Sequence, residues 1–325
     1  LQPANTDAAI KLCDIYLVAA LQIQDPKRTV QLEKDVEDIG GRLVMNQASG
    51  YDGHRIMGQL ALLRKDPATA VKEFESAERI KPDQPEIALT HFQALAAVGR
   101  DADAEELAVR AIAKNKTFGP LYDLLYLQYA RKNKLKEAES VLLDKVANNG
   151  KNATYHLQLA GHYILTNQRP KMEESIARLT NETDFPEGHL LAGDFFFFRL
   201  GEFDNAQKQY EAAIRAFPKD HAIYQKRMVE LYAAKGQGPE AQKLVAQILQ
   251  EDPKDSDAQA MRAALQLSSG DKNQIASAVT DLQGLVTKTP DNHLYRYNLA
   301  RALVAKGDLE QAKVQLQETI KIRPD

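Results

Sequence analysis

Apolar residues along the chain recur at three- and four-residue spacing, in short runs that come in pairs. In residues 291–325, Leu299, Ala300, Leu303 and Val304 share one helical stripe, and after Gly307 a second stripe holds Leu309, Ala312, Leu316 and Ile320. The paired pattern predicts two helices per unit, and a small residue keeps the phase. Ala70, Ala104, Ala138, Met172 and Ala206 stand 34 residues apart, then Ala241 follows at 35, Ala278 at 37 and Ala312 at 34. A period of this size, held eight times, is the mark of stacked supersecondary units.

The residues between the stripes predict how each helix stops and starts. Gly99, Gly201, Gly236 and Gly307 lie five residues before their alanines. Glycine suits a helix stop because the next residue commonly turns left-handed, a conformation that costs side-chain-bearing residues energy. Lys65, Asn133 and Asn167 hold that place in other units, while Gly270 lies eight residues before Ala278, which predicts three inserted residues in a turn around Asp271 to Gln274. One further inserted residue falls between Pro218 and Gly236. Asp308 is placed to cap the following helix, and Pro82, Pro218, Pro253, Pro290 and Pro324, each twelve residues after the small residue, close their units. A small residue at the phase-keeping position lets paired helices approach closely, so Met172 predicts a locally wider pair.

Residues 1–50 carry a weaker pair. Ile10, Cys13, Leu17 and Leu21 form a stripe after an Asn5-Thr6-Asp7 cap, and Asp25-Pro26 opens a second helix with Leu32, Val36, Ile39 and Leu43 on one face. End units of repeat arrays are atypical because one side meets water, so this pair reads as an N-terminal cap or a degenerate ninth unit.

A 34-residue helical pair with these marks resembles the tetratricopeptide repeat. The segment Gly188 to Pro218 carries Gly201, Ala206, Tyr210, Ala213 and Pro218 on the family positions, and Gly58, Ala70, Phe74, Ala77 and Pro82 match comparably. The resemblance implies an all-α, right-handed α-α superhelix of about eight units after the 1–50 pair. The units run approximately 51–84, 85–118, 119–152, 153–186, 187–220, 221–255, 256–292 and 293–325. The expectation is one elongated solenoid rather than two cores.

Composition narrows the function classes. Of 325 residues, 42 are Lys or Arg and 45 Asp or Glu, a net charge of −3, so no overall field draws the chain to nucleic acid or an anionic membrane. The run Ile15 to Leu21 is too short to span a bilayer. The one cysteine, Cys13, sits among Ile10, Leu12 and Leu17 and reads as a buried small hydrophobe. Ile10-Lys11-Leu12-Cys13 lacks a lipoprotein box, yet the absent initiator Met and the likeness to exported bacterial repeat lipoproteins favour a periplasmic or secreted setting over a cytoplasmic one. The end of the sequence at Asp325 leaves no polar capping helix, so the protein is expected to continue or to dock there, self-association through the last repeat included.

Catalytic patterns are sparse. Gly236-Gln237-Gly238 follows no strand, no two of the seven histidines are three or four residues apart, and His156 and His162 point about 120° apart on one helix. Glu105-Glu106 and Glu173-Glu174 read as solvated charge. The chain is therefore expected to be a non-catalytic scaffold with no metal or cofactor, binding a peptide or partner protein; the alternative is a solenoid domain of a larger enzyme or of a secretion or polysaccharide-export assembly. In the tetratricopeptide family the first helix of each pair lines the concave side. That placement nominates Arg55, Gln59, Leu89, Gln93, Asp123, Leu127, Leu157, Phe195, Phe198, Tyr297 and Arg301, with Lys226, Arg227 and Glu230 shifted by the inserted residue. The family's chaperone-carboxylate clamp is not matched, because its positions hold Arg55, Gln59, Thr90, Pro120 and Leu124. Four consecutive aromatics, Phe195 to Phe198, cover every side of a helix, so about two must be core; Phe195 or Phe198 is expected to be a partner anchor, the alternative being that the run only fills an irregular core.

Overall fold

The computed structural model describes residues 3–324, and every element in it is a helix. It divides into two compact units, one ending at Ser175 and the other beginning at Ile176, where the sequence pattern predicts a single solenoid. The division falls in the pair that departs most from the pattern, with Met172 in the small-residue place and Asp184 where a closing proline would stand.

The first unit stacks α1 (Pro3–Gln22), α2 (Pro26–Val44), α3 (Gly50–Leu63), α4 (Pro67–Ile80), α5 (Pro85–Ala97), α6 (Asp101–Lys114), α7 (Gly119–Arg131), α8 (Leu135–Asn148), α9 (Ala153–Leu165) and the start of α10 (Arg169–Leu179). The second holds α11 (Gly188–Asp194) continued by a π-helical stretch (Phe195–Leu200), then α12 (Phe203–Ala216), α13 (His221–Ala234), α14 (Gly238–Glu251), α15 (Ser256–Ser268), α16 (Lys272–Lys288), α17 (His293–Lys306) and α18 (Leu309–Ile322). From α1 to α9 and from α11 to α18 each helix packs on its successor, and the first helices of neighbouring pairs also touch: α1 on α3, α3 on α5 and α5 on α7, then α13 on α15 and α15 on α17. Among the described residues no helix is long and apolar enough to cross a membrane.

The phase-keeping residues Ala70, Ala104, Ala138, Met172, Ala206, Ala241, Ala278 and Ala312 are all buried. Two glycines let aromatic rings in against the first helix: a Cβ on Gly58 would collide with the Phe74 ring, and one on Gly193 with the Tyr210 ring. Lys65, Gly99, Asn133, Asn167, Gly201, Gly236, Gly270 and Gly307 all have positive φ, so the left-handed stop recurs in all eight pairs whatever residue supplies it.

Two local expectations are corrected and one is narrowed. The residues inserted after Gly270 form no turn. Asp271 caps α16 by accepting from the backbone of Asn273 and Gln274, and α16 runs 17 residues where α14 has 14. Three residues are close to one helical turn, so the insertion lengthens the helix and keeps Ala278 near its face. The single extra residue lies between the start of α13 at His221 and its stop at Gly236, 15 residues on, where Pro85 to Gly99, Gly119 to Asn133, Ala153 to Asn167 and His293 to Gly307 each span 14. At the N-terminus α1 begins at Pro3, so Asn5 to Asp7 lie inside it rather than capping it, and Leu21 is exposed while Cys13, Leu17 and Ala20 face the core. Proline is compatible with a helix's first turn because no intrahelical acceptor exists there for the missing N–H.

Candidate functional site

Because first helices pack side by side within each unit, their outward faces join into surfaces with shallow clefts between them. In the first unit Gln59 borders a cleft of about 380 Å³ between α1 and α3, with Asp14, Leu17 and Val18 opposite. Gln93 and Leu127 border a cleft of about 630 Å³ between α5 and α7. In the second unit Lys226, Arg227 and Glu230 line a cleft of about 490 Å³ across α13, α15 and α17, where Ile223 and Leu294 are exposed and Met261 completes the wall.

Charge on these faces is largely spent internally. The Arg55 guanidinium lies 2.8 Å from Asp14 and 3.5 Å from Asp52, tying α3 to α1. Burial works to lower its pKa, but the bond and charge of Asp14 and the charge of Asp52 outweigh it and hold the value above the ordinary one. Asp123 accepts from the Lys145 ammonium at 2.6 Å and from Gln158 at 2.7 Å. Lys226 pairs with Asp255 at 3.1 Å and Asp257 at 3.2 Å. Leu89 and Leu157 are half-buried, while Gln93, Leu127, Phe198, Tyr297 and Arg301 are exposed. The surface left to a partner is thus mainly apolar.

The run of phenylalanines is where the backbone departs from the repeat. The helix widens into a π-turn over Phe195–Leu200 before Gly201 ends it in the left-handed conformation. Gly58 meets the ring of Phe74, sixteen residues on, whereas Gly193 meets that of Tyr210, seventeen on. The first helix therefore holds one residue more between glycine and ring, and a π-turn is how a helix absorbs a single insertion. Measured from the glycine, the place of Gln59 falls on Asp194, not on Phe195 as the constant period places it. Phe196 is buried, Phe195 and Phe197 are half-buried, and Phe198 is 62% exposed. Its ring lies 4.4 Å from that of Phe197, with the Arg227 guanidinium 5.5 Å from its centroid.

Asp194 is the residue the sequence pattern misses. It accepts the Tyr210 hydroxyl at 2.7 Å and lies 3.0 Å from Arg227, which also donates to Glu230 at 2.9 Å. Burial, then the bond to Asp194, pushes the Tyr210 hydroxyl pKa far up, so it stays a donor. The chain of contacts holds Arg227 beside the Phe198 ring. A signal existed: an acid directly after the packing glycine, in a helix whose stop at Gly201 lies eight residues past that glycine where Lys65 lies seven past Gly58.

Elsewhere the titratable groups serve packing. Cys13 is fully buried and its thiol is pushed up to about 11 by desolvation first. Glu105 accepts the Tyr129 hydroxyl at 2.6 Å, so this acid is more than solvated charge. His162 packs edge-on against Tyr126 and Tyr163, and its pKa is lowered chiefly by burial. Among the described residues no three His, Cys, Asp or Glu side chains are grouped to hold a metal ion.

Residues 197–265 and again 270–325 match the tetratricopeptide repeat family. No curated protein sequence matches the chain. Solved structures similar to it include a tetratricopeptide repeat protein from Parabacteroides merdae, at 14% identity and TM-score 0.39 over 78% of this chain and 98% of that one. A thermophilic repeat protein from Thermus thermophilus is 24% identical at TM-score 0.32, over 56% and 99% of the two chains. Yeast Tom70 is 12% identical at TM-score 0.41, over 100% and 62%. Residues 197–265 and 270–325 are thus tetratricopeptide repeats, units that serve generally in protein-interaction scaffolds, and the eight-fold phase and recurring left-handed stops carry the same pattern through the rest of the chain from Lys65 onward.

Proposed function

We propose that the chain is a non-catalytic scaffold that binds a peptide or partner protein along the first-helix faces of its two units. The observation that carries this reading is the division of labour on those faces. Arg55, Asp123, Lys226 and Arg227 are engaged within the protein, while Leu127, Phe198, Ile223, Leu294 and Tyr297 stand exposed. Exposed apolar groups beside pre-ordered polar ones are what a protein interface uses, since the apolar contacts supply energy and the fixed polar groups supply orientation.

Phe198 is the anchor this reading favours in the second unit. Its ring is held from behind by Phe197 and overlaid by an arginine that Asp194 and Glu230 keep in place, so little ordering cost remains on binding. Partners retained by the tagged full-length protein from its native cells are the starting material. Phe198→Ala is expected to weaken the retained complex by about 2 kcal/mol, roughly thirty-fold, with helicity by circular dichroism unchanged. Equal retention by Phe198→Ala and by Leu127→Ala would remove the first-helix faces as the binding surface.

A further inference from the structure

The cleft between α5 and α7 differs from those between α1 and α3 and across α13 to α17 in carrying an exposed charge with no partner among the described residues. Phe92, Leu124 and Leu127 give it an apolar lining, and its volume of about 630 Å³ is in the range that encloses ligand groups. Three charged residues border it. Lys132 and Asp101 neutralise one another at 2.8 Å, which leaves Arg131. Among the described residues of the first unit, Arg28, Arg42, Arg55, Arg64, Arg79, Arg100, Arg110 and Arg169 each have a polar partner, and Arg131 has none. The wall is also fixed in advance: the buried Gln128 side chain on α7 donates to the Asp101 carbonyl on α6 at 2.8 Å.

We propose that this cleft takes an apolar side chain of a bound peptide that carries a carboxylate beside it, the carboxylate pairing with Arg131. The inference rests on the reading of the first-helix faces as binding surfaces and names the partner chemistry for one of them. An exposed guanidinium keeps its planar fork of donors available, and that fork matches both oxygens of a carboxylate in a way a lysine ammonium does not. Charge complementarity decides the sign. With Asp101 cancelled by Lys132, the rim holds one net positive charge, so an acidic side chain next to the apolar one gains where a basic one is repelled. The polar work is assigned to an internal acidic residue rather than to a chain terminus, because a single arginine next to an apolar cleft needs only one carboxylate within side-chain reach.

The test is selection of displayed, C-terminally amidated nonapeptides from a random library by the full chain, repeated with Arg131→Glu, Leu127→Asp and Phe198→Ala. The expected peptides carry Leu, Ile, Met or Phe with Asp or Glu within two positions. Arg131→Glu should replace those acids by Lys or Arg, and Leu127→Asp should reduce binding of the original peptides at least tenfold. Leu127 is an exposed side chain, so Leu127→Asp is expected to fold; Leu127→Ser, with circular dichroism on both, guards against loss of structure. Peptides that keep the same charge preference with Arg131→Glu, or bind unchanged to Leu127→Asp, overturn the assignment. If those peptides are instead lost with Phe198→Ala, the assignment of this cleft fails while the scaffold reading stands. An empty selection with every chain counts against both.

Discussion

At the residue scale the most telling position is Lys145. It occupies the place held in other pairs by Ala77, Ala111, Leu179, Ala213, Ile248 and Leu285, all buried, and it is buried too. Its ammonium sits 3.9 Å from the Tyr155 ring centroid and is tied to Asp123 and Gln158. Gly119 makes the arrangement possible, since a Cβ there would run into the Tyr155 hydroxyl. The two partners are not equivalent. Asp123 is 41% exposed and returns to water if the lysine is removed, whereas Lys145 has no route to solvent if the aspartate is removed. Asp123→Ala should therefore destabilise by about 2 kcal/mol, and Lys145→Met, which fills the same volume without a charge, by less than about 1 kcal/mol. Urea unfolding followed by circular dichroism ranks them; the reverse order would mean that the lysine is solvated in solution. The asymmetry also explains why Asp123, placed on the first helix by the repeat, has little charge to offer a partner.

At the scale of the helix, much was legible in the sequence, and the exceptions share a cause. Helix stops at Gly99, Gly201, Gly236 and Gly307 were readable because glycine is the residue that adopts a left-handed stop cheaply, and Asn133 and Asn167 because asparagine tolerates it. Lys65 carries no such signal, and only the period locates it. Its φ of 59° places a side-chain-bearing residue where glycine is preferred, so Lys65→Gly is expected to stabilise by about 1 kcal/mol in thermal or urea unfolding. What the sequence hid were insertions, because a period records how many residues are added and not how the backbone takes them up. The three inserted residues lengthened α16 because Asp271 supplied its cap directly after Gly270. In the fifth first helix the period stays at 34, yet the stretch from Gly193 to Gly201 holds one residue more than Gly58 to Lys65 and takes it up as a π-turn, which moved the alignment by one and kept Asp194 from view. Phe198, named from the four-aromatic run, is the exposed member because the other three rings pack inward to differing extents.

At the scale of the whole molecule, the repeats group into two compact units, one ending at Ser175 and the other beginning at Ile176. Each unit presents its own first-helix face with its own chemistry: an unpaired arginine beside an apolar cleft in the first, and an arginine-covered aromatic on a π-turn in the second. Such a division suits a scaffold that holds two segments of a partner, since linking two modest contacts raises the effective concentration of the second. The central claim is that partners meet the first helices and not the second, and Leu127 and Leu143 offer a matched pair for testing it. Both are leucines 45% exposed, one on α7 and the other on α8. The decisive measurement places a photo-crosslinking residue at either position of the full-length protein in its native cells. The account predicts partner crosslinks from position 127 and not from position 143, and crosslinks of equal yield from both, or from 143 alone, would contradict it.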